Sequence, residues 1–396
     1  MPPRLDLLDP AVLSDPYPLF HRLRIEDPVH WEADLEFWAL TRYADALYAL
    51  REDSLLSSAI HDSQRSGGVG LSSARWFVFL DPPRHTRLRA LVHSAFTPQV
   101  VEGLRARIQA IVDELLDRAA DAGRLDLIAD LGFPLPAIVI AELLGVPPED
   151  RAQFKAWSAD LAAAGGLVRM AADGAERLSR ARAGGAALNA YFREIIRERR
   201  RAPRDDLVSR LAGVQSAEGT LSEEELVDTC ALLLFAGHET TTNLIGNGML
   251  ALLRHPDELS RLRADPSLIG SAVEELLRYD SPVQMRVRVA RETVEIGGRR
   301  IAKGQRVLVL VGAANRDPAR FPDPDRLDIA RPDNRHLAFG HGIHFCTGAP
   351  LARLEGAIAI RRLLRRFPRL ELATDQLAWR ETLTLRGLSA LPVSAR

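Results

Sequence analysis

The stretch Phe339-Gly-His-Gly342-Ile-His344-Phe-Cys346-Thr-Gly348 holds the residue types and spacing that most directly permit chemistry in this chain. Its skeleton is F-x-x-G-x-x-x-C-x-G. The glycines let main chain come close to a flat ligand. Cys346 is predicted to lie just ahead of a helix N-terminus, where the dipole and free N–H groups favour an anion. A thiolate in that place can bind iron. The ordinary alternative is a thiol buried in a glycine-rich turn. The other cysteine, Cys230, sits in Cys-Ala-Leu-Leu-Leu-Phe and reads as core filler.

A second constellation is Ala236-Gly237-His238-Glu239-Thr240. Proton delivery needs one carboxyl and one hydroxyl close together at a wet kink, and Glu239 with Thr240 supplies both. Taken alone, the same residues make a polar patch at a kink, with Thr240 bonded back to its own carbonyls. Glu275 and Arg278 are three apart, hence neighbours on one helix. On an exposed helix that is an ordinary salt bridge. His85 and Arg89 are four apart and share a face behind Asp81-Pro-Pro, prolines that start a helix. A solvated basic face is the plain reading of that pair. His238 and His341 are not taken as ligands.

The elements that must position these groups are mostly helical. Ser222 to Arg254 reads as one long helix, with Ser222 and Glu225 as a capping box and His255-Pro256 as its stop. At ~1.5 Å per residue it is roughly 45–50 Å long, so its polar centre is expected to be buried. A final helix runs from near Gly348 to about Phe367. From Pro82 to about residue 280 further helical segments follow one another, and residues 161–186 suggest two helices joined by a mobile connection. Val29 to Glu32, Phe37 to Thr41, Val294 to Ile301 and Arg306 to Val311 read as short strands, with Gly297-Gly298 a turn. Residues 53–76 read as a long irregular loop, of a length that often serves as a lid. Asn315 to Asn334 is irregular and rich in Pro, Asp and Arg.

Bulk properties set the limits. The chain has 396 residues, 46% of them hydrophobic and 27% charged, as in soluble globular proteins. A net charge of −1 gives no global field favouring nucleic acid. The longest apolar run, Leu135 to Val146, is broken by Glu142 and is too short to span a membrane. No signal-peptide pattern opens the sequence, so a cytoplasmic protein is expected.

On these motifs the chain resembles the cytochrome P450 family, of the soluble bacterial kind, from Pro16-Tyr17 to the C-terminus. The resemblance implies a single domain over 1–396. The fold expected is mainly α with small β-sheets, its long central helix crossing a haem b. Cys346 is then the iron ligand, and a thiolate there favours O–O cleavage. Phe339, Gly348, Ala236 and Gly237 line the haem and the oxygen site. Glu239 and Thr240 are the catalytic acid–alcohol pair. His85, Arg89, Arg288 and His344 bind the haem propionates. Glu275 and Arg278 form a buried structural pair, joined by Arg326 of Pro324-Asp325-Arg326, which holds the cysteine loop.

The implied reaction is insertion of one oxygen atom from O2 into a hydrophobic small molecule. No flavin fingerprint is visible, so electrons are expected from NAD(P)H through a ferredoxin reductase and a ferredoxin. Arg84, Arg87 and Arg353 lie in segments expected on the docking side, or else form a solvated basic face. The protein is expected to be a monomer. A peroxide-driven peroxygenase and a non-catalytic haem sensor or carrier are the alternatives. Leu233, Val283, Arg286 and Leu383 are candidate pocket residues; Arg286 either reads a polar group there or points to solvent. Few aromatics and a long lid suggest a bulky aliphatic substrate such as a terpenoid, steroid or macrolide.

Overall fold

The computed structural model describes residues 5–7, 9–60, 75–119, 124–163, 174–214, 219–382 and 384–395. Helices dominate, as the periodicity predicts, with three small sheets among them. The chain divides into two compact units. No described helix is long and apolar enough to cross a membrane.

The first unit comprises Met1–Leu56, Arg105–Leu135 and Thr240–Arg396. Its main sheet has the strand order Val29–Glu32, Phe37–Leu40, Arg306–Leu310, Met285–Ala290, Leu56–Ser57. Phe37–Leu40 pairs parallel with Arg306–Leu310, which pairs antiparallel with Met285–Ala290. Alternate side chains of these strands bury Val29, Leu40, Val307 and Val309 against Ala46, Leu50 and Ile301. Val294–Ile296 and Arg299–Ile301 form the expected hairpin. Gly297 and Gly298 turn it at φ +56° and +79°, a region that strains other residues. The irregular stretch before the cysteine turn is present as predicted, without strand or α-helix between Asn315 and Asn334.

The second unit comprises Ser57–Leu104 and Pro136–Glu239. Helices Arg151–Ala163 and Gly174–Arg201 pack through Phe154, Trp157, Tyr191 and Phe192. They are the two helices expected in the Ala/Gly-rich region; residues 164–173 between them lie outside the described residues, as do 61–74 of the expected lid. Arg199 is buried between Asp206 and the carbonyl of Gly145.

One helix, Glu223–Arg254, runs through both units. The predicted capping box is formed. Ser222 N–H donates to Glu225 Oε2 at 3.0 Å, and Glu225 N–H donates to Ser222 Oγ at 3.2 Å. At the far end Pro256 opens the next helix, since it cannot continue the last.

Candidate functional site

Burial along the long helix marks where it works. From Leu226 to Leu232 every residue is buried, and so is every residue from Thr241 to Ala251. Between them Leu233, Phe235, Gly237 and Thr240 are partly accessible and Ala236 is exposed. Positions 233, 236, 237 and 240 fall on one helical face, so the centre of a core helix opens a stripe of surface beside Thr240. Glu239 points elsewhere and is buried at 2%. Its Oε1 lies 3.3 Å from Nε2 of His238, itself 1% exposed. Nδ1 of His238 donates to the carbonyl of Leu234 at 3.2 Å. His238 is thus tied to the acid of the motif, which its variable position gave no reason to expect. Gly237 has little room beside it: a Cβ there would meet Ile140 at 3.2 Å.

In the first unit the cysteine turn is built from backbone. The N–H of Cys346 donates to the carbonyl of Phe339 at 2.9 Å, closing the turn on the residue that opens the motif. Gly340 and Gly342 stand at φ +74° and +69°. A Cβ on Gly342 would lie 2.9 Å from the carbonyl oxygen of Leu50, so main chain lies directly against it. Helix Ala349–Arg366 follows, with Gly348 as its N-cap. Cys346 therefore precedes the N-terminus as predicted, partly accessible, whereas Cys230 is fully buried and burial pushes its thiol far up.

Phe339 is held in a way the sequence did not reveal. The guanidinium of Arg353 stacks over its ring at 4.5 Å, and His336 lies at 5.9 Å. Both are tied to Glu274: Arg353 donates to it at 2.6 and 2.9 Å, and His336 Nε2 is 3.3 Å away. Burial works against the Glu274 charge, but Arg353 and His336 outweigh it and hold the carboxyl at about 2. Arg353 is thus committed to this clamp. Arg87, the second expected docking arginine, is committed to Glu225 and the carbonyl of Thr220. Arg84 is exposed.

Glu275 and Arg278 form the expected pair at 2.8 Å, both with no exposed side-chain surface. The third arginine is not the expected one. Arg326 is exposed and contributes only its carbonyl, which accepts from Arg278 at 3.2 Å. Arg331 instead donates through Nε to both Glu275 oxygens at 3.2 Å. Asn334 and the N–H of Asp328 complete the shell around that carboxylate. Arg278 also donates to the carbonyls of Asn315 and Pro324, so it fixes the start and the middle of the irregular path. Spacing alone could not choose between two arginines five residues apart in a segment with no period.

The remaining predicted groups fall in place by unit. His85 is buried at 1% and Arg89 partly buried, on helix Arg84–Ala95 of the second unit. Arg288 is buried at 6% on strand Met285–Ala290, and His344 is half-buried in the cysteine turn, both in the first unit. Val283 is buried and bridges to Leu385; Leu383 lies outside the described residues.

These residues fit a haem. The turn offers a partly accessible thiol backed by glycines, with the backbone N–H of Cys346 already satisfied by Phe339. A Cβ on Gly348 would stand 3.9 Å from the sulfur, so the glycine keeps the space beside it clear. Thr347 keeps a buried hydroxyl with no partner among the described residues. Arg288 and His344 supply the charge-assisted donors that a propionate takes.

Comparison with known proteins agrees. The family model described as Cytochrome P450 matches residues 175–385. The chain is 44% identical to Cytochrome P450 107B1 of Saccharopolyspora erythraea, covering 99% of this chain and 98% of that one. It is 44% identical to Cytochrome P450 monooxygenase PikC of Streptomyces venezuelae, over 100% and 95%. A crystal structure of CYP109E1 from Bacillus megaterium in complex with testosterone superposes with a TM-score of 0.90 at 35% identity, over 98% and 99%. Likeness of that extent carries the fold, and the chain accordingly belongs to the cytochrome P450 family, as a haem monooxygenase.

Proposed function

We propose that this P450 hydroxylates or epoxidises a bulky aliphatic molecule, taking its electrons from NAD(P)H through a ferredoxin reductase and a ferredoxin. The observation that carries the reading is the accessible stripe at Leu233, Ala236, Gly237 and Thr240 in a helix otherwise buried on either side. Such a stripe serves a molecule that lies against it, and its small residues leave that molecule room. The relative with testosterone bound supports a substrate of steroid size.

When bound, haem supplies a thiolate-ligated iron that activates O2. Cys346 would hold it, and the resemblance would make Arg288 and His344, with His85 and Arg89, donors to its carboxylates. Thr240 Oγ would hand a proton into the oxygen site, and Glu239, which rests against His238, would restore it by turning toward Thr240. Leu233 offers a partly accessible apolar side chain to the substrate. The protein acts as a cytoplasmic monomer.

Thr240→Ala tests the assignment. With a ferredoxin pair and a substrate found by Soret shift, product per NAD(P)H is expected to fall about 10-fold or more while hydrogen peroxide rises. Full yield and full coupling in that variant would instead mark a haem carrier or sensor. Turnover that runs on hydrogen peroxide and ignores every ferredoxin would mark a peroxygenase.

A further inference from the structure

Between Ser281 and Ala290 every residue is buried except Val287, which is partly accessible, and Arg286, which is exposed. Arg286 is not on an outer strand. Its strand, Met285–Ala290, lies inside the five-stranded sheet, and its Cα stands opposite that of Val309. Arg288 is two residues on, hence on the same face, and is buried. The strand's entry is pinned, with Gln284 N–H donating to the carbonyl of Thr384 and Val283 bridging Leu385. The 384–385 segment therefore runs beside the approach to Arg286.

Accessible surface on such a residue has two readings: bulk solvent or an interior chamber. The surroundings decide between them. The guanidinium is desolvated enough to lower its pKa, and the charge neighbour that offsets this is Cys346. Arg286 stands on an interior strand, on the same face as buried Arg288 and near the sulfur of Cys346, and on that geometry its accessible side is assigned to the chamber beside the cysteine turn. Among the described residues Arg286 makes no hydrogen bond or ion pair. A guanidinium without a hydrogen-bonded carboxylate keeps its donors for an incoming anion. Its planar fork suits a carboxylate, which it takes with two parallel N–H bonds.

We propose that Arg286 anchors a carboxylate of the substrate, so that the ligand of this chamber is a hydrophobic molecule with an acidic end. The proposal rests on the monooxygenase reading of the same chamber. The haem's own propionates are the other source of carboxylate there, and the resemblance gives those to His85, Arg89, Arg288 and His344.

The test uses holoprotein with two matched pairs, lauric acid against methyl laurate and deoxycholic acid against its methyl ester. Dissociation constants are read from the Soret shift on ligand entry. Wild type is expected to bind at least one acid about 10-fold or more tighter than its ester. Arg286→Leu is expected to lose that preference, and Arg286→Lys to keep part of it. No preference in wild type, or one that survives Arg286→Leu, overturns the proposal. So does a variant that sheds haem faster but retains the acid preference, for Arg286 is then a propionate donor. The reduced carbonyl spectrum is recorded for each protein. If wild type lacks the red-shifted band of a thiolate ligand, the monooxygenase reading itself fails. If the band is present and no acid preference is found, only the role of Arg286 fails.

Discussion

At the scale of single residues, the arginine that reaches Glu275 is the sharpest outcome. Arg331 places its Nε 3.2 Å from both carboxylate oxygens, while Arg326 stands exposed and lends a carbonyl. A buried carboxylate that loses a donor is left undercompensated, which costs far more than the loss of a surface charge. Arg331→Ala is therefore expected to cost about 2 kcal/mol in urea unfolding of the holoprotein, part of the full penalty because Arg278 and Asn334 remain. Arg326→Ala is expected to stay within about 0.5 kcal/mol. Equal losses in the two variants would contradict the assignment. Cys346, by contrast, was legible from sequence, because its chemistry needs a thiol and glycines within ten residues of one another. Local spacing carries that requirement.

At the scale of elements, two helices define the proximal clamp. Helix Ile269–Tyr279 supplies Glu274, helix Ala349–Arg366 supplies Arg353, and together with His336 they hold Phe339 over the cysteine turn. Glu274 titrates at about 2 in the folded protein, below its unfolded value of about 4.3. A depressed carboxylate contributes stability above the unfolded pKa and loses it as pH falls toward the folded one. The unfolding free energy of wild type should therefore exceed that of Glu274→Gln by about 1 kcal/mol near neutral pH, a value reduced for solvent screening. The difference should shrink as pH drops from about 5 toward about 3. A difference that stays constant over that range would show that the charge of Glu274 contributes nothing. The capping box at Ser222 and the stop at Pro256 were readable because they act within one turn of the chain.

At the scale of the whole molecule, 396 residues fold as two compact units that share one long helix. If Cys346 holds the haem as proposed, the bound group stabilises the folded chain by mass action, since the unfolded chain offers no site of comparable affinity. Stripping haem is expected to lower Tm, and Cys346→Ser is expected to start lower and fall less. Equal Tm values for holo and stripped wild type would show that the group contributes nothing to the fold. The sequence by itself determined the cysteine turn, the Glu275–Arg278 pair and the course of the long helix. Each of these is specified by residue types a few positions apart. Only the tertiary structure decided which arginine closes on Glu275, and that Arg353 stacks on Phe339 while paired with Glu274. Those contacts join segments distant in sequence, through an irregular path without periodicity, and packing alone selects which side chain arrives.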